Sequence, residues 1–275
     1  MEKFKIYFCL FLFLLSIIYL YNKSKTINLY SIFFEKSVKE VVGTISVKKE
    51  SFDNNYLSND TFGSKKDKNV TDNKKGNNNF LVYLYNTHEE EKYKTKDGFT
   101  PSVITCSKII EKRLTNKGIK TLRETRKINE KLVLYGYDYS GTYSISFDYL
   151  KEMKNKYKTI NYYFDIHRDS ITGKNSKVTI GGKKYATMMF LVGQNNKDYK
   201  KNVENIKVME KYLNQNYKGL LRDTYYQPKY AYNQGYSPRM FLVEIGGPEN
   251  TLQEITNTSI ALSNAIYSYV SAYEK

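Results

Sequence analysis

Two cysteines and two histidines are all that 275 residues provide of the usual metal-binding and redox side chains, and 28 acidic residues face 44 basic ones. Cys9 lies in an N-terminal apolar run and Cys106 in a distant segment of helical pattern, which speaks against a disulfide framework and a paired-cysteine zinc site. A glycine-rich phosphate loop and the aromatic signature of RNA-binding sheets are also missing. The formal charge of +16 points to an anionic partner: nucleic acid, phospholipid or an acidic cell-surface polymer. Because the basic excess is spread over both sides of residue 79 and not gathered in an arm, nucleic acid is the least favoured of these. A hydrophobic content of 40% is enough for a packed core, so the chain is not disordered throughout.

Long apolar runs are as scarce. One stretch, Ile6 to Asn22, carries no charge and is bracketed by Lys5 and Lys23. It stands at the short end of a membrane span, which needs about 20 residues, and flanking lysines can snorkel to extend it. A cleaved signal peptide is the competing interpretation, but "SIIYLYNKS" lacks the small residues of a cleavage site. The expectation is an uncleaved, single-pass membrane anchor over 1–25. Lys3 and Lys5 balance Lys23 and Lys25, which leaves its orientation open. Residues 26–79 read as a juxtamembrane segment followed by a flexible linker, because 51–79 are dominated by Asn, Asp, Lys and Ser. The folded domain is expected over 80–275.

Within that domain strand-like and helix-like patterns alternate. Apolar runs at 80–86, 118–122, 159–166, 186–193 and 239–245 predict strands, with a turn at 178–184 before one of them. Thr100 and Pro101 suggest the N-cap and first position of a helix bearing Val103, Ile104, Ser107, Ile110 and Leu114 on one side. Val203, Ile206, Met209 and Leu213 form the stripe of a second helix. Leu262, Ile266, Tyr269, Val270 and Tyr273 mark a third, with Asn250 and Gln253 as a capping pair. The alternation predicts an α/β fold, a mixed and mostly parallel sheet flanked by helices. In such sheets ligands bind beyond the carboxyl ends of the strands.

Both histidines fall there. His88 follows the first predicted strand, His167 ends the central one, and each has carboxylates nearby. Glu244 stands inside the apolar run "MFLVEIGG", where a buried carboxylate must be paired, metal-bound or open to a polar cleft. A salt bridge to Arg239 is the plainer account of Glu244, but strand alternation puts the two on opposite faces. Two imidazoles and one carboxylate match a catalytic zinc site that keeps a fourth position open. A local His-Glu-x-x-His motif is absent, so such a site must be assembled from separate strands. From chemistry alone Glu89, Glu90 and Glu91 are all candidates for the third ligand. Asp165 is suited to orient an imidazole and Arg168 to hold a substrate carboxylate; with Asp169 they form, alternatively, a local salt-bridge cluster.

The segments "YNTHEEEKY" at 85–93, "FDIHRDS" at 164–170, "FLVGQNN" at 190–196 and "YNQGYSPRMFLVEIGGPENTLQEI" at 232–255 resemble the successive motifs of the stage II sporulation protein P family. The resemblance runs from about Phe80 to the C-terminus. It implies a fold similar to zinc-dependent N-acetylmuramoyl-L-alanine amidases, with zinc held by His88, Glu91 and His167 and with Glu244 as the catalytic carboxylate. It also implies cleavage of the bond between N-acetylmuramic acid and L-alanine, cleavage of peptide cross-links as a second activity, and peptidoglycan as substrate. The setting it implies is the septum around the forespore during engulfment, with the domain outside the cell membrane and sporulation proteins D and M as partners. Asn86 departs from the histidine expected there in many relatives, and the region before the domain is short for the family. The competing function is a catalytically inactive, wall-binding scaffold of the same complex.

Overall fold

The structure, a computed structural model, describes residues 81–274. The expected anchor at 1–25 and segment at 26–79 lie outside the described residues. Among the described residues no helix is long and apolar enough to cross a membrane.

The chain alternates strands and helices: β1 (Leu81–Tyr85), α1 (Val103–Asn116), β2 (Thr121–Arg123), α2 (Ile128–Tyr135), α3 (Thr142–Lys156), β3 (Ile160–His167), β4 (Lys177–Ile180), β5 (Lys183–Ala186), β6 (Met188–Gly193), α4 (Tyr199–Asn216), β7 (Tyr225–Gln227), β8 (Met240–Ile245) and α5 (Leu252–Tyr273). Six strands form one sheet in the order β2-β1-β3-β8-β6-β7, and β4 with β5 make a separate hairpin. All pairings in the large sheet are parallel except β6 against β8. The expected mixed, mostly parallel sheet flanked by helices is therefore present.

Strand alternation divides the side chains between two unequal faces. Val82, Leu84, Tyr162, Phe164, Ile166, Phe190, Val192, Phe241, Val243 and Ile245 enter the large core, which α1, α4 and α5 cover. On the other face Tyr83, Tyr85, Tyr163 and Met240 pack with Leu150 of α3. That face carries Asp165, His167 and Glu244 toward its end, because the alternation that sends Phe164 and Ile166 inward turns their neighbours outward. Arg239 does not pair with Glu244: its guanidinium lies over the rings of Tyr162 and Tyr273.

Several boundaries differ from expectation. The strand expected at 118–122 is β2 at Thr121–Arg123, because Gly118, at φ 81°, closes α1 and the Ile119 N–H still bonds back to Leu114 O. The N-cap of α1 is Ser102, not Thr100, and the Ser102 N–H donates to Thr105 Oγ1 at 3.1 Å. Pro101 and Ser102 are held extended against Tyr93 and Lys92, which delays the helix. At α5 the capping pair is Thr251 with Glu254, one residue beyond the expected pair. Asn250 instead accepts the Gly247 N–H and donates to Ser176 O, which staples the turn after β8 to the β4 hairpin. β7 and helices α2 and α3 were not among the expected elements. The glycine pair of the expected turn sits at the tip of the β4–β5 hairpin, where Gly181 and Gly182 have φ of 55° and 78°.

Phe241 is fully buried, with ring centroids 4.9 Å from Phe164 and 5.6 Å from Tyr269. Phe241→Ala is expected to cost about 3–5 kcal/mol in chemical denaturation, against about 1 kcal/mol for the loss of a cap in Thr251→Ala.

Candidate functional site

The site begins where β1 ends. Asn86, buried beside the sheet, donates from Nδ2 to Ile166 O at 2.6 Å and accepts from Ser107 Oγ at 3.0 Å. Thr87 then donates its backbone N–H to Asp165 Oδ1 at 2.9 Å and its hydroxyl to Asp165 Oδ2 at 2.6 Å. These bonds fix the turn that carries His88 and the three glutamates. Glu89 is buried and accepts the Asn129 N–H, while Glu90 is drawn to Asn129 Nδ2. Only Glu91 of the three turns toward His167: its Oε2 stands 3.7 Å from His167 Nδ1 and accepts the Arg168 N–H at 2.7 Å.

His167 lies on the other side of that carboxylate. Its Nε2 is 3.0 Å from Asp165 Oδ1, an ion-pair distance without the alignment of a hydrogen bond. The His88 ring meets His167 edge to face, with centroids 5.1 Å apart. Glu244 is the register partner of His167 on the adjacent parallel strand, so both side chains leave the sheet on the same side. Asp169 does not join them; its Oδ2 takes a hydrogen bond from Arg222 Nη2 at 2.7 Å. Arg168 bonds its own neighbour, donating from Nη1 to Asp169 O.

Among the buried atoms at this point without a hydrogen-bond partner are His88 Nδ1, His167 Nε2 and Glu244 Oε2. Buried polar atoms left unpaired are costly, and their convergence beside Glu91 and His167 is what a site for a cation requires. His88, Glu91 and His167 therefore match zinc in donor type. Their side chains are not drawn into ligating geometry: among the described residues no group of three His, Cys, Asp or Glu is arranged to hold a metal.

The environments pull the titratable groups apart. Burial, reinforced by the nearby His167, pushes His88 down to about 4. Burial also works against a charge on His167, but Asp165, helped by Glu244 and Glu91, outweighs it and pushes His167 up to about 9. Burial raises Glu244 to about 7, against the pull of His167, and raises Glu91 as well.

Residues that composition and spacing did not single out complete the surroundings. Tyr139, just before α3, stacks on His88 at 4.7 Å and 14°. Tyr143 lies parallel to His167 at 6.4 Å and edge-on to His88 at 5.4 Å. Ser146 Oγ lies 3.0 Å from Thr87 Oγ1 and accepts from Asn233 Nδ2 at 3.0 Å, which joins α3 to the loop before β8. Nothing in the sequence distinguishes these two tyrosines among 28, and Thr87 gains its meaning only from the β1–β3 register. A hollow of about 230 Å³ beyond the ends of β1 and β2 is a neighbour of this site; its ion pairs, Arg126 with Glu124 and Arg123 with Glu111, are internally matched.

A family model described as Stage II sporulation protein P matches residues 16–267. Stage II sporulation protein P of Bacillus subtilis (strain 168) is 29% identical over 198 residues, which is 67% of this chain and 49% of that protein. The chain thus aligns with about half the length of the curated relative it matches. Among solved structures, the N-acetylmuramoyl-L-alanine amidase AmiC2 of Nostoc punctiforme is similar with a TM-score of 0.43 and 14% identity, over 70% of this chain and 98% of that one. The CwlD amidase from Clostridioides difficile, solved in complex with the GerS lipoprotein, gives a TM-score of 0.44 and 11% identity over 70% and 99%.

With only two histidines, the metal-free protein offers a clean titration by NMR: His167 is expected to change charge near pH 9 and His88 near pH 4. A raised His167 means that the folded state binds more protons than the unfolded one between about 6.5 and 9, so metal-free stability falls as pH rises through that window. His167→Gln is expected to flatten the stability profile between pH 7 and 9; an unchanged slope contradicts the assignment.

Proposed function

Because the chain belongs to the stage II sporulation protein P family, we propose that it is a zinc-dependent peptidoglycan hydrolase of sporulation that cuts the amide between N-acetylmuramic acid and L-alanine. The supporting observation is the convergence of His88, Glu91, His167 and Glu244 on one end of the sheet, with His88 Nδ1 and Glu244 Oε2 buried and unpaired. His88, Glu91 and His167 would hold the ion. When bound, zinc supplies an acidified water and polarises a carbonyl.

The rest of the chemistry falls to the chain's own groups. Glu244, with Oε2 buried and unpaired beside His167, is placed both to accept a proton and to return one to the departing amine. Asp165 fixes the His167 ring from its Nε2 side, which leaves Nδ1 directed at Glu91. The same set would serve cleavage of peptide cross-links, provided that the cleft admits both bonds. The setting proposed is the outer side of the cell membrane at the forespore septum, with the chain anchored through 1–25 and working beside sporulation proteins D and M. Its charge of +16 would hold it to anionic wall polymers.

One observation favours a second reading, a wall-binding scaffold without turnover: no three donors are set in ligating geometry among the described residues. Metal analysis and digestion separate the two. The hydrolase is expected to contain about one zinc per chain, to lose it in His167→Ala, and to keep it in Glu244→Gln while turnover falls at least about 100-fold. Mass spectrometry of digested peptidoglycan is expected to show stem peptides with free L-alanine amines. Metal-free protein that binds wall fragments and releases nothing rules out the enzyme.

A further inference from the structure

Resting on the hydrolase reading and extending it, we infer that Tyr139, Tyr143, Tyr232 and Tyr230 form a platform that binds the sugar rings of the glycan strand, independently of the metal. The rings make a path out of the site in which His88 joins Tyr139 to Tyr143, and Tyr232 and Tyr230 follow. Tyr139 stacks on His88, and Tyr143 touches His88 and lies parallel to His167. Tyr232 meets Tyr143 at 5.5 Å, and Tyr230 follows Tyr232 at 5.7 Å. The two ends of the path are open: Tyr139 is 58% exposed and Tyr230 57%.

The path is held in place at a cost. Tyr232 and Asn233 both adopt left-handed backbone, with φ of 49° and 62°, which a bulky non-glycine residue avoids. Asn233 is fixed in that state by its bond to Ser146 Oγ, next to Tyr143 on the opposite wall. Gly193 lets the strand behind it come close: a Cβ there would lie 2.5 Å from Tyr230 O. Buried Gln234 clamps the same loop, accepting the Gly193 N–H and donating to Leu191 O. Strain of this kind collects where a side chain must be presented, not where a loop merely passes.

The chemistry of the path selects its occupant. A tyrosine offers a flat apolar face with a polar tip, which suits a ligand that is apolar on its ring faces and polar around its rim, as a pyranose is. Stacking alone would also suit nucleic acid bases. On the hydrolase reading the glycan that carries the scissile amide is the occupant, and nucleic acid is one outcome of the test.

The test uses the full chain in detergent, stripped of metal with EDTA, and titrates chitotetraose, a peptide-free tetramer of N-acetylglucosamine. Wild type is expected to bind. Tyr139→Ala and Tyr230→Ala, both at exposed positions, are each expected to weaken binding about three- to tenfold with unchanged melting temperatures, and Tyr230→Phe to stay close to wild type. No binding, or wild-type affinity in both alanine variants, overturns the platform; so does a single-stranded oligodeoxynucleotide that binds the same tyrosines in place of the sugar. Tyrosine-dependent sugar binding by a protein that hydrolyses no wall keeps the platform and removes the hydrolase reading. Wall hydrolysis without sugar binding does the reverse.

Discussion

Everything at this end of the sheet is arranged around one buried carboxylate. Asp165, 1% exposed, sits on β3 directly across from the last residue of β1 and takes both hydrogen bonds that Thr87 can give it. A buried charge is tolerable only when so satisfied, and removing one partner strands the others. The same carboxylate faces His167 Nε2, so the register of two parallel strands, the turn that carries His88 and the orientation of His167 are one constraint. Through Thr87 it reaches Ser146, and through Ser146 the loop at Asn233. The walls of the cleft and the orientation of the imidazole on its floor are therefore mechanically joined.

The unequal faces of the sheet explain why a polar cluster survives there. On the first face, α1, α4 and α5 seal a core in which strand side chains are excluded from water. On the second, α3 covers only the β1–β3–β8 region around Tyr83, Tyr163 and Met240, and leaves the strand ends to loops. Carboxylates and imidazoles placed there are buried enough to shift their affinity for protons but still find partners. Their shifts diverge because their neighbours do. His88 is held down by burial and by the second imidazole beside it, whereas His167 has Asp165 at 3.0 Å.

How much of this the sequence discloses depends on how local the signal is. β1, β3, β6 and β8 are legible because each is a dense apolar run, and the stripes of α4 and α5 repeat at helical spacing. α2 and α3 are not, since their buried positions, Ile128 and Leu132 against Ile145 and Tyr149, make only a small satellite core among exposed Val133 and Leu134. β7 escapes for a similar reason: an edge strand of three residues, two of them exposed tyrosines, has no apolar pattern to show. The capping shift at α5 follows from Asn250, whose side chain is occupied by the turn, so that Thr251 is left to cap. In the site, His88, His167 and Glu244 stand out because such residues are rare at the ends of apolar runs. Thr87, Ser146 and the tyrosines carry no such mark, because their partners are supplied by strand register and helix packing. Asp169, though two residues from His167, has its carboxylate engaged by Arg222.

On the proposed function, charge acts differently at two distances. At long range, the excess that gives +16 attracts an anionic polymer without regard to where on the surface it lands. At short range the floor of the cleft holds Glu91, Asp165 and Glu244 around His167, whose raised pKa of about 9 partly neutralises them, so the floor adds no net attraction for a polyanion. Screening by salt reaches the first effect far more than the second, because the cleft groups are buried and the basic surface is exposed. On that reading anionic wall components are gathered at the exterior and gain nothing further at the reacting end, where the tyrosines and the floor are suited to sugar rings and amide bonds. Selection of the substrate then comes from the contrast between surface and cleft, and it would persist at ionic strengths where the outer attraction has largely faded.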